Sequence, residues 1–192
     1  MDCPKQRTFA GECTLEGIGV HTGEPASLTM KPSKAGGVRF RRVDLDGSPE
    51  IPANLEHVVG TDHGTSLGAG DATVLTVEHV LAALGVAGID HAVLDLSGCE
   101  PPILDGSFLA YFDAVSEVGT VELDAPIEVV SVRKALTVAV PSGASYVATP
   151  SSTFRISATI DFEHRHIGRQ FGSFETNEDA FRREIASART FG

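Results

Sequence analysis

The sequence predicts an α+β fold in which short strands precede helices in each half of the chain. Apolar and polar residues alternate in several short segments, whereas other segments repeat apolar residues at helical spacing. Glycine and proline, 20 and 10 residues among 192, punctuate these segments and mark turns between short elements. Because 42% of the residues are hydrophobic, the chain can bury a core between layers of strands and helices.

Short strands are predicted throughout the first half of the chain. The candidate segments are RTFAGECTL, ASLTMKP, GVRFRRVD and HAVLDLS. Glycine and proline pairs separate them, as expected between short strands. The last segment alternates in the manner typical of a half-buried strand.

Two helices are predicted among these strands. The first, TVEHVLAALG, has Thr76 as its expected N-cap and repeats apolar residues on one face. Those residues are Val77, Val80, Leu81 and Leu84. The second helix, SFLAYFDAVSEVG, follows Asp105, which is expected to cap it without a catalytic part.

The second half repeats the order of strands and then a helix. Strands are predicted in EVVSVRKALTVAV, SYVATP, FRISATIDF and RQFGSF. A helix is predicted over 177–188, with Thr176 as its cap. Acidic residues and a proline interrupt the periodicity at VELDAPIE, so the predicted domains are residues 1–122 and residues 127–192.

The charge balance argues against a nucleic-acid partner. The chain has 15 Lys and Arg against 26 Asp and Glu, a formal net charge of −11, and such a surface repels phosphate backbones. The densest basic cluster is Arg39, Arg41 and Arg42. It is expected to be a solvated strand face, and contact with an anionic substrate group is the alternative.

Cysteine usage and hydropathy indicate the compartment. Three cysteines without a C-x-x-C spacing indicate neither a disulfide framework nor a thiolate zinc site. The N-terminus lacks the apolar stretch of a signal peptide, and no segment has the length of a membrane span. A cytoplasmic, monomeric protein is expected, and peripheral contact with a membrane surface is left open.

Glu78 and His79 are the strongest candidates for chemistry. In the first turn of a helix, unpaired amides and the macrodipole favour an ionised carboxylate, here beside an imidazole. The alternative is that Glu78 only decorates the helix start and His79 packs at a rim. The zinc-protease pattern needs a second His four residues on, where this chain has Ala83, so this helix alone cannot bind zinc.

Seven segments of the chain, several of them long, carry a family resemblance. They are GIGVHTGEPASLTMKP, RFRRVDLDG, EIPAN, TVEHVLAALGVAGIDHAVLDLSG, EPPILDGS, IDFEH and SARTFG. Together, and in this order, they resemble the zinc-dependent UDP-3-O-acyl-N-acetylglucosamine deacetylases of lipid A biosynthesis. The resemblance runs from about Gln6 to Gly192.

The resemblance implies a fold, a reaction and a cofactor. The fold would be two similar layered β/α sandwich domains, the second incomplete here. The reaction would be hydrolysis of the N-acetyl amide of a UDP-linked acylated amino sugar, the committed step of lipid A biosynthesis. The cofactor would be Zn²⁺ with His79 as one ligand, and Glu78 would be the general base on a zinc-activated water.

Four further residues match positions that the family uses. Thr190 is implied to face the tetrahedral intermediate, where a donor would meet developing negative charge. Phe162 and Phe191 are implied to pack against the nucleotide sugar, and plain core positions are the alternative. His21 is implied to lie near the site, and an ordinary turn residue is the alternative.

The resemblance also implies missing parts. The family's other two zinc ligands, its lysine and its histidine general acid lie beyond the segment matched by SARTFG, and a catalytic zinc needs three protein ligands. The chain is therefore expected to be C-terminally incomplete, inactive on its own, and uncovered on apolar faces such as 154–162. The alternative is a non-catalytic α+β binding domain that has lost the metal centre.

Overall fold

The computed structural model describes residues 4–141 and 143–190, and within them it confirms the α+β prediction. The strands are β1 (Lys5–Phe9), β2 (Cys13–Ile18), β3 (Pro25–Pro32), β4 (Val38–Arg42), β5 (Glu50–Pro52), β6 (Val58–Gly60), β7 (Ser66–Ala69), β8 (Ala72–Val74), β9 (Ala92–Ser97), β10 (Thr120–Pro126), β11 (Leu136–Ala139), β12 (Ser145–Ala148), β13 (Arg155–Asp161) and β14 (Arg169–Glu175). The helices are α1 (Glu78–Val86), α2 (Leu109–Val118) and α3 (Glu178–Ala180); a 3-10 turn spans Leu55–His57, and a π-helical turn, Phe181–Ile185, follows α3.

A five-stranded sheet in the order β2-β3-β9-β4-β5 supports the first half. Its neighbours are antiparallel except β4 and β9, which run parallel. The single strand predicted over RTFAGECTL is wrong. The chain leaves β1 after Phe9, which lets β1 pair with β10 in a separate sheet while β2 joins the central one.

Strand β9 is buried on both faces, so the half-buried prediction is wrong. Leu94 and Leu96 lie in the hydrophobic core on one face. On the other face, Asp95 is covered by Arg41, whose guanidinium donates two hydrogen bonds to it at 2.6 Å. Lys31 adds an ion pair with Asp95 at 3.1 Å, so long basic side chains shield this face from water.

The basic cluster of the sequence is paired internally. Arg39 donates to Glu50 at 2.8 Å, and Arg41 is held by Asp95. Arg42 is buried and donates to Asp44 and to a backbone carbonyl. The prediction of a solvated strand face is therefore wrong for Arg42.

Helix α1 presents its predicted apolar face to the core, but Thr76 does not cap it. Val77 takes the N-cap position with helical dihedrals and no side-chain capping bond. Thr76 has a left-handed backbone with φ of 52°, and its hydroxyl donates to Glu100. The Thr76 hydroxyl therefore donates to a buried carboxylate, whereas a helix cap would accept from a backbone amide of the helix.

Helix α2 begins with a relay of short side chains. Asp105 accepts hydrogen bonds from the amide and hydroxyl of Ser107, and the Ser107 hydroxyl accepts from the amide of Leu109 at 3.2 Å. Asp105 therefore supports the helix start through Ser107 and does not cap it directly. Tyr111 and Phe112 are buried on the inner face of the helix.

The second half consists of two hairpins and a short helical segment. Strands β11 and β12 pair with each other, and so do β13 and β14. Of the long strand predicted over EVVSVRKALTVAV, only Leu136–Ala139 is a strand. The helix predicted over 177–188 is the short α3 followed by the π-helical turn, and Asn177 caps it in place of Thr176 by accepting from the amide of Ala180.

The apolar face expected to be uncovered in 154–162 is uncovered. Phe154 is 73% exposed, and Ile156 is 50% exposed. Each hairpin has only two strands, so within the described residues no third strand extends either of them. None of the described helices is long and apolar enough to cross a bilayer.

Candidate functional site

Glu78 lies at the first position of α1 and is held there by a neighbouring loop. The amide of Thr65 donates to both carboxylate oxygens at 3.1 Å, while the carbonyl of Thr65 accepts from the amide of Val77 at 3.2 Å. Gly64 lies so close that a Cβ there would be 3.1 Å from the carboxylate. The backbone amide of Thr65 therefore fixes the Glu78 carboxylate, and the remaining lone pairs of the carboxylate stay available.

His79 is buried beside Glu78, so the alternative that it packs at a rim is wrong. The residue is 5% exposed, and its ring stacks on Phe108 with 4.7 Å between centroids and 21° between planes. Phe181 meets Phe108 edge-on at 5.9 Å. The aromatic stack fixes the plane of the imidazole.

The Nδ1 atom of His79 is buried and has no hydrogen-bond partner within the described residues. A buried polar atom without a partner costs about 1–3 kcal/mol, and each such atom calls for an explanation. A neutral imidazole nitrogen is also the commonest metal ligand. The unpartnered Nδ1 atom therefore indicates that the His79 ring binds a group other than the described residues.

The described residues do not complete a zinc site. No cluster of three His, Cys, Asp or Glu side chains within them can hold a metal ion. A catalytic zinc takes three protein ligands and keeps one position open. His79 can supply one of the three, and the others are not among the side chains described.

A pocket of about 190 Å³ opens at the loop that holds Glu78, although Glu78 itself does not line it. It is lined by His21, Asp62, His63, Gly64, Ser66, Leu75 and Thr76. Gly64 is also the residue that crowds the Glu78 carboxylate. The pocket and the predicted base therefore have Gly64 as a common neighbour.

Glu100 holds two walls of this pocket and was missed by the sequence reasoning. It is 1% exposed and accepts from the Thr76 hydroxyl at 2.7 Å. It also accepts from the amide and hydroxyl of Thr22, at 2.9 and 3.0 Å, and from the amide of His21 at 3.1 Å. The only local signal was its place in EPPILDGS, which does not reveal partners 24 and 78 residues away.

The pKa of the Glu100 carboxyl reflects its hydrogen bonds. Burial alone would raise the pKa of the Glu100 carboxyl, but hydrogen bonds from Thr76, Thr22 and His21 outweigh it and lower that pKa below its usual value. Nearby, burial and the Glu100 charge together raise the pKa of Tyr111. Glu100 is thus an anion in the folded protein.

Of the remaining predicted site residues, three lie within the described part of the chain. His21 is in an exposed turn at the edge of the pocket. Thr190 is exposed, and its amide donates to the carbonyl of Gly106 at 2.9 Å. Phe162 is 42% exposed just after β13, and Phe191 lies outside the described residues.

The chain approaches the His79 region again just before Thr190. Arg189 forms a β-bridge with Ser107, the residue that precedes Phe108. Since Phe108 stacks on His79, the backbone leading to Thr190 passes one residue from the aromatic partner of the imidazole. The structure therefore brings the SARTFG and EPPILDGS segments together.

Comparison with known proteins gives a consistent result. Residues 6–192 match the family model described as LpxC: UDP-3-O-acyl N-acetylglycosamine deacetylase. The UDP-3-O-acyl-N-acetylglucosamine deacetylase of Thermosynechococcus vestitus is 43% identical over 189 residues, covering 97% of this chain and 65% of that protein. Its namesake in Myxococcus xanthus is 42% identical over 188 residues, covering 97% of this chain and 60% of that protein.

A third relative agrees with these two. The protein of the same name in Brucella ovis is 41% identical over 189 residues, covering 97% of this chain and 65% of that protein. The chain thus spans about 60–65% of the length of the curated relatives it matches. With nearly the whole chain matched at this level of identity, it belongs to the UDP-3-O-acyl-N-acetylglucosamine deacetylase (LpxC) family.

Proposed function

We propose that the whole protein hydrolyses the N-acetyl amide of a UDP-linked 3-O-acyl-N-acetylglucosamine. The products are the free amine and acetate, and the reaction commits the sugar to lipid A biosynthesis. The relatives named above support the reaction class. The observation that carries the proposal is a carboxylate fixed on the first turn of α1, beside a pocket and next to a buried imidazole.

In this proposal Glu78 is the general base. Its Oε atoms face the amide of Thr65, a neutral donor that orients the carboxylate without neutralising it. The carboxylate takes a proton from the attacking water, and the leaving amine is protonated by the histidine general acid that we propose to lie in the part of the relatives' length that this chain does not span. Such positioned proton transfer contributes about 10²- to 10⁴-fold in rate.

His79 is proposed as one ligand of a Zn²⁺ cofactor. Its orphaned buried nitrogen and its aromatic support suit a ligand whose plane must not turn. When bound, Zn²⁺ supplies Lewis-acid polarisation of the amide carbonyl and of water. The remaining ligands are proposed to lie in the part of the relatives' length that this chain does not span.

Three further contacts complete the proposal. The exposed hydroxyl of Thr190 donates to the oxyanion that develops on the amide oxygen, from a backbone fixed by its bond to Gly106. Phe162 and Phe191 pack against the nucleotide sugar, and His21 contacts the substrate at the pocket edge. These residues bind and orient, and Glu78 carries the proton.

The test compares Glu78→Gln and His79→Ala in the full-length protein. Glu78→Gln keeps an oxygen for the Thr65 amide but removes the base, so we expect turnover to fall by at least about 10²-fold with zinc content retained. His79→Ala removes a ligand, so we expect zinc content itself to fall. Acetate release and metal analysis of the purified proteins measure the two effects.

Glu178→Gln is the matched control, since Glu178 is also an acid in the first turn of a helix but is exposed. It should leave turnover and zinc content as in the wild type. Wild-type turnover in Glu78→Gln would remove Glu78 from the role of base.

The alternative function is a non-catalytic α+β binding domain that has lost the metal centre. In that case the full-length protein would bind the UDP-sugar without releasing acetate, and neither substitution would alter the binding.

A further inference from the structure

We propose that Glu100 is a positioning residue whose buried carboxylate fixes the His21–Thr22 turn to the segment that precedes α1. The turn forms one wall of the pocket, and α1 carries Glu78 and His79. The contacts that Glu100 makes with both segments support this link directly. Its kinetic consequence rests on the deacetylase function proposed above.

One oxygen of Glu100 holds the segment before α1. The Thr76 hydroxyl donates to Oε1 at 2.7 Å, and the Leu75 amide donates to the carbonyl of Cys99 at 2.8 Å, directly beside it. Thr76 has a φ of 52°, a backbone region that β-branched residues disfavour. Such conformations persist only where the surroundings over-determine them, and the bond to Glu100 supplies that restraint.

The other oxygen holds the turn. The Thr22 amide and hydroxyl donate to Oε2 at 2.9 and 3.0 Å, and the His21 amide donates at 3.1 Å. Gly19 packs so closely that a Cβ there would lie 2.3 Å from Oε2 and from the Thr22 hydroxyl. The turn is therefore wrapped tightly around the carboxylate.

A carboxylate is required at this position by the number of donors. Three donors converge on Oε2, and Oε1 accepts from the Thr76 hydroxyl and, at 3.3 Å, from the His21 amide, so both atoms must be acceptors. A glutamine has only one oxygen, so its amide nitrogen would face either the backbone amides of the turn, which cannot accept, or the Thr76 hydroxyl, which can. Glu100→Gln can therefore keep the turn bound through its oxygen, whereas Glu100→Ala removes both acceptors.

The first test is amide hydrogen exchange on the chain itself. In Glu100→Ala, which removes both acceptors, we expect the His21 and Thr22 amides to exchange at least about tenfold faster than in the wild type. The Ala87 amide, bonded to the Ala83 carbonyl at the far end of α1, reports whether the fold is intact and should be unchanged. Unchanged exchange at His21 and Thr22 would overturn the proposal.

The second test compares hydroxyl variants in the full-length protein, because Glu100→Ala can also weaken folding. Thr76→Val removes the donor to Oε1, whereas Thr76→Ser keeps it. We expect kcat to fall about 10- to 100-fold in Thr76→Val, as for other partners that orient a site from outside it, with a much smaller change in KM. Thr76→Ser should recover most of this loss.

The two substitutions should also share one effect. Combining Thr76→Val with Glu100→Ala should lower kcat by less than the product of the single losses, because both remove the same link. Equal kcat in Thr76→Val and Thr76→Ser would overturn the positioning role. If the wild-type full-length protein releases no acetate, the proposed function fails, and the exchange result alone decides whether Glu100 fixes the turn.

Discussion

At the scale of single residues, two carboxylates are buried within the described part of the chain, and they are satisfied in different ways. Asp95 is held by the cations of Arg41 and Lys31, whereas Glu100 is held by the hydroxyls and amides of neutral residues. In both, burial alone would raise the pKa, and the hydrogen bonds lower it below the usual value. Each carboxylate therefore stabilises the folded chain only while it is ionised.

A pH dependence of stability follows from these two residues. Their folded pKa values lie below the unfolded values, which are about 3.9 for Asp and 4.3 for Glu. Their contribution is therefore fully present above about pH 5 and is lost as the pH falls through the folded values. Urea unfolding between pH 7 and pH 3 should show stability falling in this acid range, with a shallower fall in Asp95→Asn and Glu100→Gln. Equal slopes in all three proteins would contradict this.

The candidate site was predictable at residues that stand in a local pattern. Glu78 and His79 were singled out by their place at the start of a periodic helix, and the roles proposed for them came from the family resemblance. Thr76 was assigned the wrong partner, because a hydroxyl before a helix usually caps it and the sequence does not show the competing carboxylate. Glu100 could not be found, since its donors come from segments far away in the chain.

At the scale of elements, the π-helical turn Phe181–Ile185 docks the end of the described chain on α2. Phe181 is 3% exposed and packs against Phe108 and Phe112. Arg182 lies 4.9 Å above the Phe112 ring and pairs with Asp113 at 2.7 Å. The sequence predicted an ordinary helix here. In the structure the Ala186 amide donates to the Phe181 carbonyl, five residues back, and this π turn directs both residues inward.

Removing this contact should destabilise the chain and loosen the support of His79. We expect Phe181→Ala to lower the free energy of unfolding by about 3 kcal/mol or more, the usual cost of truncating a buried phenylalanine. Phe171→Ala is the matched control, because Phe171 is 70% exposed, and it should change stability by less than about 0.5 kcal/mol. Chemical denaturation of the three proteins measures both values, and equal values would show that the π-helical turn is not docked in solution.

At the scale of the whole molecule, buried apolar side chains are concentrated in the first half and exposed ones in the second. The core cluster draws on β3, β9, α1 and α2, whereas the strands of both late hairpins are largely exposed. We propose residues 1–122 and 127–192 as two domains, with β10 running between them and pairing with β1. The sequence predicted β3, β4, β9 and the strands of the late hairpins, but it missed β5 to β8 and β10. Alternation alone also does not say whether a strand finds a layer to cover it.

This distribution of burial predicts that the chain does not unfold as one unit. The hairpins β11–β12 and β13–β14 should lose structure before the central sheet, because little apolar surface holds them in place. Amide exchange during a thermal ramp should show protection lost first in residues 136–175 and last in β3 and β9. A single sharp transition in which both regions lose protection together would contradict the prediction.

The hydrogen bonds of Glu100 also constrain the order in which the protein can be made. They join residues separated by 24 and 78 positions, so the loops between these residues must close before the pocket has two walls. During synthesis the His21 turn emerges first, and it stays without its acceptor until Glu100 has left the ribosome. The pocket beside Glu78 is therefore finished late among the parts of the first half, although its first wall is among the earliest segments translated.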